Sequence, residues 1–223
     1  QPIRILEIAI KGILNIVESC IEKNIKELYL ASSSEVYQTP NKIPTDENEM
    51  LKIPDIYNPR YSYGGGKILT ELIGINYGRK YFKKLIIFRP HNVYGHDMGN
   101  EHVIPELLSK VKNIKYKKKI RIQGSGNETR SFIYVKDFCE AFYLLIKRGK
   151  HLNIYNIGTE ERVSIIKLLK YIKKISKKNF IISKGPIKKG GTPHRCPDIK
   201  KIKKLGFRHK INLEEGLKIL LKK

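Results

Sequence analysis

The 223-residue sequence is short of cysteine, short of acidic residues and has no long apolar run, and each shortage closes off a class of protein. Its three cysteines, Cys20, Cys139 and Cys196, are odd in number and far apart, so they do not form a disulfide framework. None stands in the C-x-x-C spacing of a zinc site or redox pair, so no metal is expected and the thiols read as reduced. No stretch approaches the roughly 18 apolar residues of a membrane span. Gln1-Pro2-Ile3-Arg4 opens straight into an amphipathic pattern without the regions of a signal peptide, which predicts a soluble, cytoplasmic protein with no membrane partner.

Acidic residues number 21 against 45 basic ones, a formal charge of +24 that attracts phosphates or nucleic acid. Only ten of the 45 are arginine, whereas base-reading surfaces lean on the forked guanidinium. The lysines lie along helix faces, as at Lys167, Lys170, Lys173 and Lys174, where a solvated flank is expected, so nucleic acid is the less favoured partner.

Hydrophobic residues make up 40% of the chain, enough for one sizeable core with a small lobe beside it. Ile3, Leu6, Ile10, Ile13, Leu14 and Val17 recur at helical spacing, predicting a helix over 3–23. A short apolar strand at 26–31 runs into Ser32-Ser33-Ser34-Glu35-Val36-Tyr37, whose small hydroxyl residues suit a strand end opening onto a site. Residues 38–59 hold four prolines and read as a long excursion, and the helical period returns over 61–82. The apolar run 85–88 reads as a buried parallel strand. Shorter pieces follow: a helix at 104–111, strands at 120–123 and 132–135, a helix at 136–147, a strand at 154–157, a helix at 163–175 returning to the main layer, a loop over 186–197 and a closing helix at 213–221. The expected fold is α/β, with a layered domain at 1–95 plus 136–180 and a substrate-binding lobe at 96–135 plus 181–223.

Tyr63 and Lys67 lie four apart, on one face of the 61–82 helix. An ammonium one turn away stabilises phenolate over phenol, so the pair can supply a base. Gly64, Gly65 and Gly66 between them are costly in a helix, which predicts a close backbone approach there.

Ser32 to Tyr37, Tyr63-Gly64-Gly65-Gly66-Lys67 and Arg89-Pro90-His91-Asn92-Val93-Tyr94-Gly95 resemble three successive signatures of the extended short-chain dehydrogenases that act on nucleotide sugars. The stretch Gly124 to Asp137 is similar to that family's substrate-lobe motif. Arg195-Cys196-Pro197-Asp198 with Lys204-Leu205-Gly206-Phe207 resembles its C-terminal motif, especially as seen in sugar decarboxylases. The resemblance implies the C-terminal part of a Rossmann-type doubly wound parallel sheet, and an NAD-dependent epimerase or dehydratase working through a 4-keto sugar, NADP not being excluded. It makes Tyr63 the base on the sugar 4-hydroxyl and Lys67 the holder of the nicotinamide ribose. Ser33 then aligns the 4-hydroxyl, Ser32 contributes to cofactor binding, Glu35 takes the C5 proton in a dehydratase, and Asn92, Arg130 and Arg195 hold the nucleotide diphosphate. It also implies a homodimer through helices 3–23 and 61–82.

Two features depart from the pattern. The strand, Gly-x-x-Gly-x-x-Gly turn and helix that receive the cofactor pyrophosphate are not in this sequence, and Ala9 stands where the family usually has Asn. The 26–31 strand is therefore expected to have one free edge, and this polypeptide to bind NAD weakly by itself. The alternatives are UDP-glucuronate decarboxylase-like chemistry, or a non-catalytic remnant serving as an RNA-binding or dimerisation module.

Overall fold

A computed structural model describes residues 1–99, 101–115, 118–186 and 190–222; positions 187–189 of the expected 186–197 loop lie outside the described residues. The chain begins with α1 (Pro2–Glu22), whose first residue is a proline in the turn where backbone amides have no intrahelical acceptor, and continues into β1 (Glu27–Ala31). A 3-10 turn over Ser34–Tyr37 leads into the excursion, and α2 (Ser62–Tyr81) and β2 (Lys84–Pro90) follow. Then come β3 (Val93–Tyr94), α3 (Val103–Lys112), β4 (Lys119–Arg121), β5 (Thr129–Arg130), β6 (Ile133–Tyr134), α4 (Val135–Arg148) and β7 (Asn153–Ile157). The chain closes with β8 (Val163–Ser164), α5 (Ile165–Ser176), β9 (Ile181–Ser183), α6 (Lys200–Lys203) and α7 (Leu213–Leu221).

Strands β1, β2 and β7 form a parallel sheet in the order β1-β2-β7. The central strand is buried from Leu85 to Arg89, and its side chains alternate between two cores. Leu85 and Ile87 pack with Ile13 and Val17 of α1, while Ile86 and Phe88 pack with Ala141 and Leu145 of α4. Two helical layers thus cover the sheet, which is why β2 reads as a continuous apolar run rather than an alternating one. Among the described residues β1 pairs with β2 alone, leaving its other edge free as expected.

The second core lies beside the sheet and joins α3, α5 and α7 around Ile104, Leu107, Leu168, Leu169, Ile172 and Leu217. Two of its helices, α5 and α7, start at side-chain caps: Ser164 accepts from the Lys167 amide, and Asn212 and Glu215 form a reciprocal capping box. Here the packing departs from the expected division. The 163–175 helix was expected in the main layer, but α5 buries its apolar face in the lobe, because its partners Ile120 and Ile122 come from a strand that pairs with β9. Conversely, Ile199, Ile202 and Phe207, expected in the lobe, complete the α4 side of the sheet.

The 38–59 excursion is tied down at a polar hub around Asn156. The Asn156 amide nitrogen donates to the Thr45 and Asp198 carbonyls at 3.0 and 3.3 Å, its backbone N–H donates to Glu47 at 2.8 Å, and its side-chain oxygen accepts from the Tyr37 hydroxyl at 2.8 Å. His91 sits 3.2 Å from the same oxygen, and burial drives its imidazole down to about 3, so it is neutral.

The lobe assignment of α5 has a mechanical consequence. Leu168→Ala should cost about 2–5 kcal/mol in denaturant unfolding, since Leu168 is fully enclosed by that core. A loss well under 1 kcal/mol would contradict the packing.

Candidate active site

The carboxyl ends of β1 and β2, the start of α2 and the strap 192–198 meet at one place. Lys67 reaches back from α2 to donate from Nζ to the Ala31 carbonyl at 2.8 Å, at the last residue of β1. Its Nζ lies 6.0 Å from the centre of the Tyr63 ring, and the phenol is 43% exposed. The two groups therefore share one face of α2, with the phenol open to an incoming molecule. Burial holds the Lys67 ammonium below its ordinary range, with Glu71 acting in the opposite direction.

The three glycines belong to the buried side of α2, and the geometry accounts for two of them directly. A Cβ at Gly64 would come within 2.9 Å of the Glu35 carbonyl and 2.5 Å of the Gln38 amide. A Cβ at Gly66 would come within 2.7 Å of Ala9 on α1. The expected close approach is thus between α2 and both the Ser-Glu turn and α1.

Ser33, two residues beyond the end of β1, has an extended backbone, and its hydroxyl accepts from the Glu35 amide at 3.1 Å, capping the 3-10 turn. Glu35 is gripped bidentately by Arg195, through Nη1 and, at 2.7 Å, through Nη2. Burial pushes the Glu35 carboxyl up, but the Arg195 pair, aided by Arg60 and Arg130, outweighs it and holds the group below its ordinary value. Arg195 also donates to Thr192 Oγ1 at 2.8 Å, and its buried Nε has no hydrogen-bond partner among the described residues.

Glu35, Arg60, Asn92, Arg130 and Arg195 line a cavity of about 380 Å³ together with Tyr94, Ile104, Leu107 and Ile165 and the carboxylates Glu101, Glu106 and Glu128. Burial and the neighbouring Arg195 charge pull Arg130 down to about 10. Its guanidinium is held by the Thr129 and Pro193 carbonyls at 2.8 and 3.3 Å. Asn92 adopts a left-handed backbone with φ of 40°, which asparagine tolerates, and donates to the Ser131 carbonyl at 2.9 Å. Three arginines thus share the cavity wall with Glu35, and polar and apolar side chains line the rest in similar measure.

Of the expected site residues, Glu35, Asn92, Arg130 and Arg195 share the cavity wall, Ser33 caps the turn that carries Glu35, and Tyr63 and Lys67 lie on one face of α2. Ser32 is the exception. Its hydroxyl, expected to face the cofactor, is buried and donates to Glu71, because the side chain after the strand end turns under α2 rather than outward. Arg60 was not expected; it precedes Tyr63 by less than a turn, and no motif in the sequence marks it. Glu71 was also missed, although it continues the spacing of four from Tyr63 and Lys67.

The fold is a Rossmann-type α/β one, with Tyr63 and Lys67 on one face of α2 and Arg60, Arg130 and Arg195 on a cavity wall. The sequence profile of the NAD dependent epimerase/dehydratase family matches residues 1–158, and the chain belongs to that family. It is 33% identical over 223 residues to a putative UDP-glucose 4-epimerase of Methanocaldococcus jannaschii, covering 98% of this chain and 69% of that protein. It is 30% identical over 213 residues to the dTDP-D-glucose 4,6-dehydratase of Homo sapiens, covering 91% of this chain and 57% of the relative, so it spans little more than half the human protein's length. The crystal structure of the UDP-glucose 4-epimerase of Thermotoga maritima with UDP-glucose superposes with a TM-score of 0.89 at 27% identity, over all of this chain and 71% of that one.

The Glu35–Arg195 pair generates a pH prediction. Because the folded-state carboxyl is depressed, the pair stabilises the fold above the ordinary glutamate pKa of about 4.3 and is lost as pH falls through the lower folded value. In Arg195→Met the burial contribution remains while the main cation is gone, so the Glu35 carboxyl should titrate higher than in the parent when followed by carbon NMR. An unchanged titration would show that Arg195 does not hold Glu35 in solution.

Proposed function

We propose that the chain carries the catalytic and substrate-binding part of a nucleotide-sugar epimerase or dehydratase that works through a 4-keto sugar. The observation behind this reading is the exposed Tyr63 phenol with the Lys67 ammonium on the same helix face, in a chain whose cavity is lined by Arg60, Arg130 and Arg195. Tyr63 takes the proton of the sugar 4-hydroxyl, Ser33 aligns that hydroxyl, and Asn92, Arg60, Arg130 and Arg195 take the diphosphate. Glu35, held as a carboxylate, is in the protonation state that abstraction of a C5 proton needs.

The family's cofactor fits the residues present at one end. A half-buried ammonium beside an open phenol at the carboxyl ends of parallel strands is placed to hold a nicotinamide ribose. The sequence has no glycine-rich turn after a strand to cradle the pyrophosphate, and the residue that would choose NAD over NADP is not in it. NAD, when bound, supplies an acceptor for the hydride leaving sugar C4.

A second reading, decarboxylation of a nucleotide uronate, is favoured by the Glu35–Arg195 pair itself. The fork that now takes a protein carboxylate bidentately has the geometry to take a sugar carboxylate. We also place a homodimer contact on α1 and α2, where Ile3, Ile8, Ile16 and Leu72 are more than half exposed. Sedimentation of the chain as a monomer at micromolar concentration would remove that contact.

The test supplies NAD with UDP-glucose, dTDP-glucose or UDP-glucuronate and follows 4-keto product and carbon dioxide. Tyr63→Phe should lower turnover by about 10²–10⁴-fold while leaving calorimetric binding of UDP unchanged. Carbon dioxide from the uronate alone would select the second reading. Retained turnover in Tyr63→Phe, or a parent chain that neither binds UDP nor turns over any of the three, would overturn the proposal.

A further inference from the structure

Tyr63, Lys67 and Glu71 follow one another at intervals of four, so they form a single row along α2. The first is exposed and the second half-buried, while the third is 3% exposed. Glu71 meets two groups from different strands. Its Oε1 accepts from Arg89 Nε at 2.8 Å and from the Ser32 hydroxyl, and its Oε2 accepts from Arg89 Nη2 at 2.6 Å. Arg89 is the penultimate residue of β2, and Ser32 follows the last residue of β1.

The segment that Glu71 grasps is the one on which the reacting groups depend. Lys67 donates to the Ala31 carbonyl, the Ser32 N–H donates to the Phe88 carbonyl of β2 at 2.8 Å, and Ser33 is the next residue. The carboxylate and the ammonium of two successive turns of α2 therefore hold two successive residues, Ser32 and Ala31, at the strand end. Arg89 is fixed on its far side by Tyr37 Oη at 2.7 Å and the Glu47 carbonyl at 3.2 Å. The anchor cannot slide without breaking the hub of the excursion.

We propose that Glu71 is a positioning residue for the Tyr63–Lys67 pair, locking the rotation and height of the catalytic helix against Ser33 through one carboxylate shared by Arg89 and Ser32. A second effect follows from the same placement. The charged groups around Lys67 are Tyr63 and Glu71 on its own helix and, behind Glu71, Arg89 of β2. Glu71 opposes the burial that draws the Lys67 proton away. The role rests on the reading of Tyr63 and Lys67 as the reacting pair, but the tests below read the chain without substrate, so failed turnover and a failed clamp are separate results.

Site-resolved competitive labelling of Lys67 with an amine reagent across pH, read by mass spectrometry, separates positioning from mere support of the fold. In Glu71→Gln the labelling midpoint of Lys67 should fall below that of the parent, since the carboxylate that opposes its burial is gone. If that variant does not fold, Glu71→Gln with Arg89→Met removes both buried charges, and the midpoint should still fall. Ser32→Ala deletes one hydroxyl and leaves the ion pair. It should speed amide hydrogen exchange at Tyr63 to Lys67 by about tenfold while leaving α5 unchanged. A Lys67 midpoint equal to that of the parent in a folded Glu71 variant, or unchanged exchange in Ser32→Ala, would overturn the clamp.

Discussion

A full positive charge lies buried at the end of the central strand, and much of the surrounding structure can be understood as its compensation. Arg89 is 2% exposed, and burial works against its charge until Glu71 and Tyr37 more than offset the loss. An unpaired charge in such a place costs about 3–5 kcal/mol, so its partners are not optional. They come from α2, from the 3-10 turn after β1 and from the excursion, three segments that the sheet alone would not bring together. The ion pair therefore links the helix bearing Tyr63 and Lys67 to the strand ends.

The same economy governs the cavity. Arg60, Arg130 and Arg195 repel one another, and Glu35 relieves part of that repulsion. The arginines therefore sit on the wall of a cavity that Glu101, Glu106 and Glu128 also line, and each cation there has an anion within the same lining. The overall charge of +24 is a separate matter: it is carried mainly by lysines, and the candidate site is built from arginines held by carbonyls and carboxylates.

Short elements escaped the sequence reading because two- to four-residue strands such as β3, β5, β8 and β9 carry no period to detect. The placement of α5 escaped for another reason. Its apolar stripe, Ile165, Leu168, Leu169 and Ile172, states that it packs, and nothing in the stripe states against which layer. Ser32 and Glu71 show the same limit at the site. A serine at a strand end and a glutamate on a helix are each ordinary, and their bond joins residues 39 positions apart.

What the sequence determined by itself was the local pattern. It set the amphipathic helices, the buried apolar strand, the spacing of four that puts Tyr63 and Lys67 on one face, and the ordered motifs that mark the family, because each depends on neighbours along the chain. Tertiary structure alone decided which charges meet. Arg195 reaches Glu35 across 160 residues, and Asn156 gathers Thr45, Glu47 and Asp198. Such pairings are settled by the folding of the layers, where burial makes each polar group require a partner that no local pattern specifies.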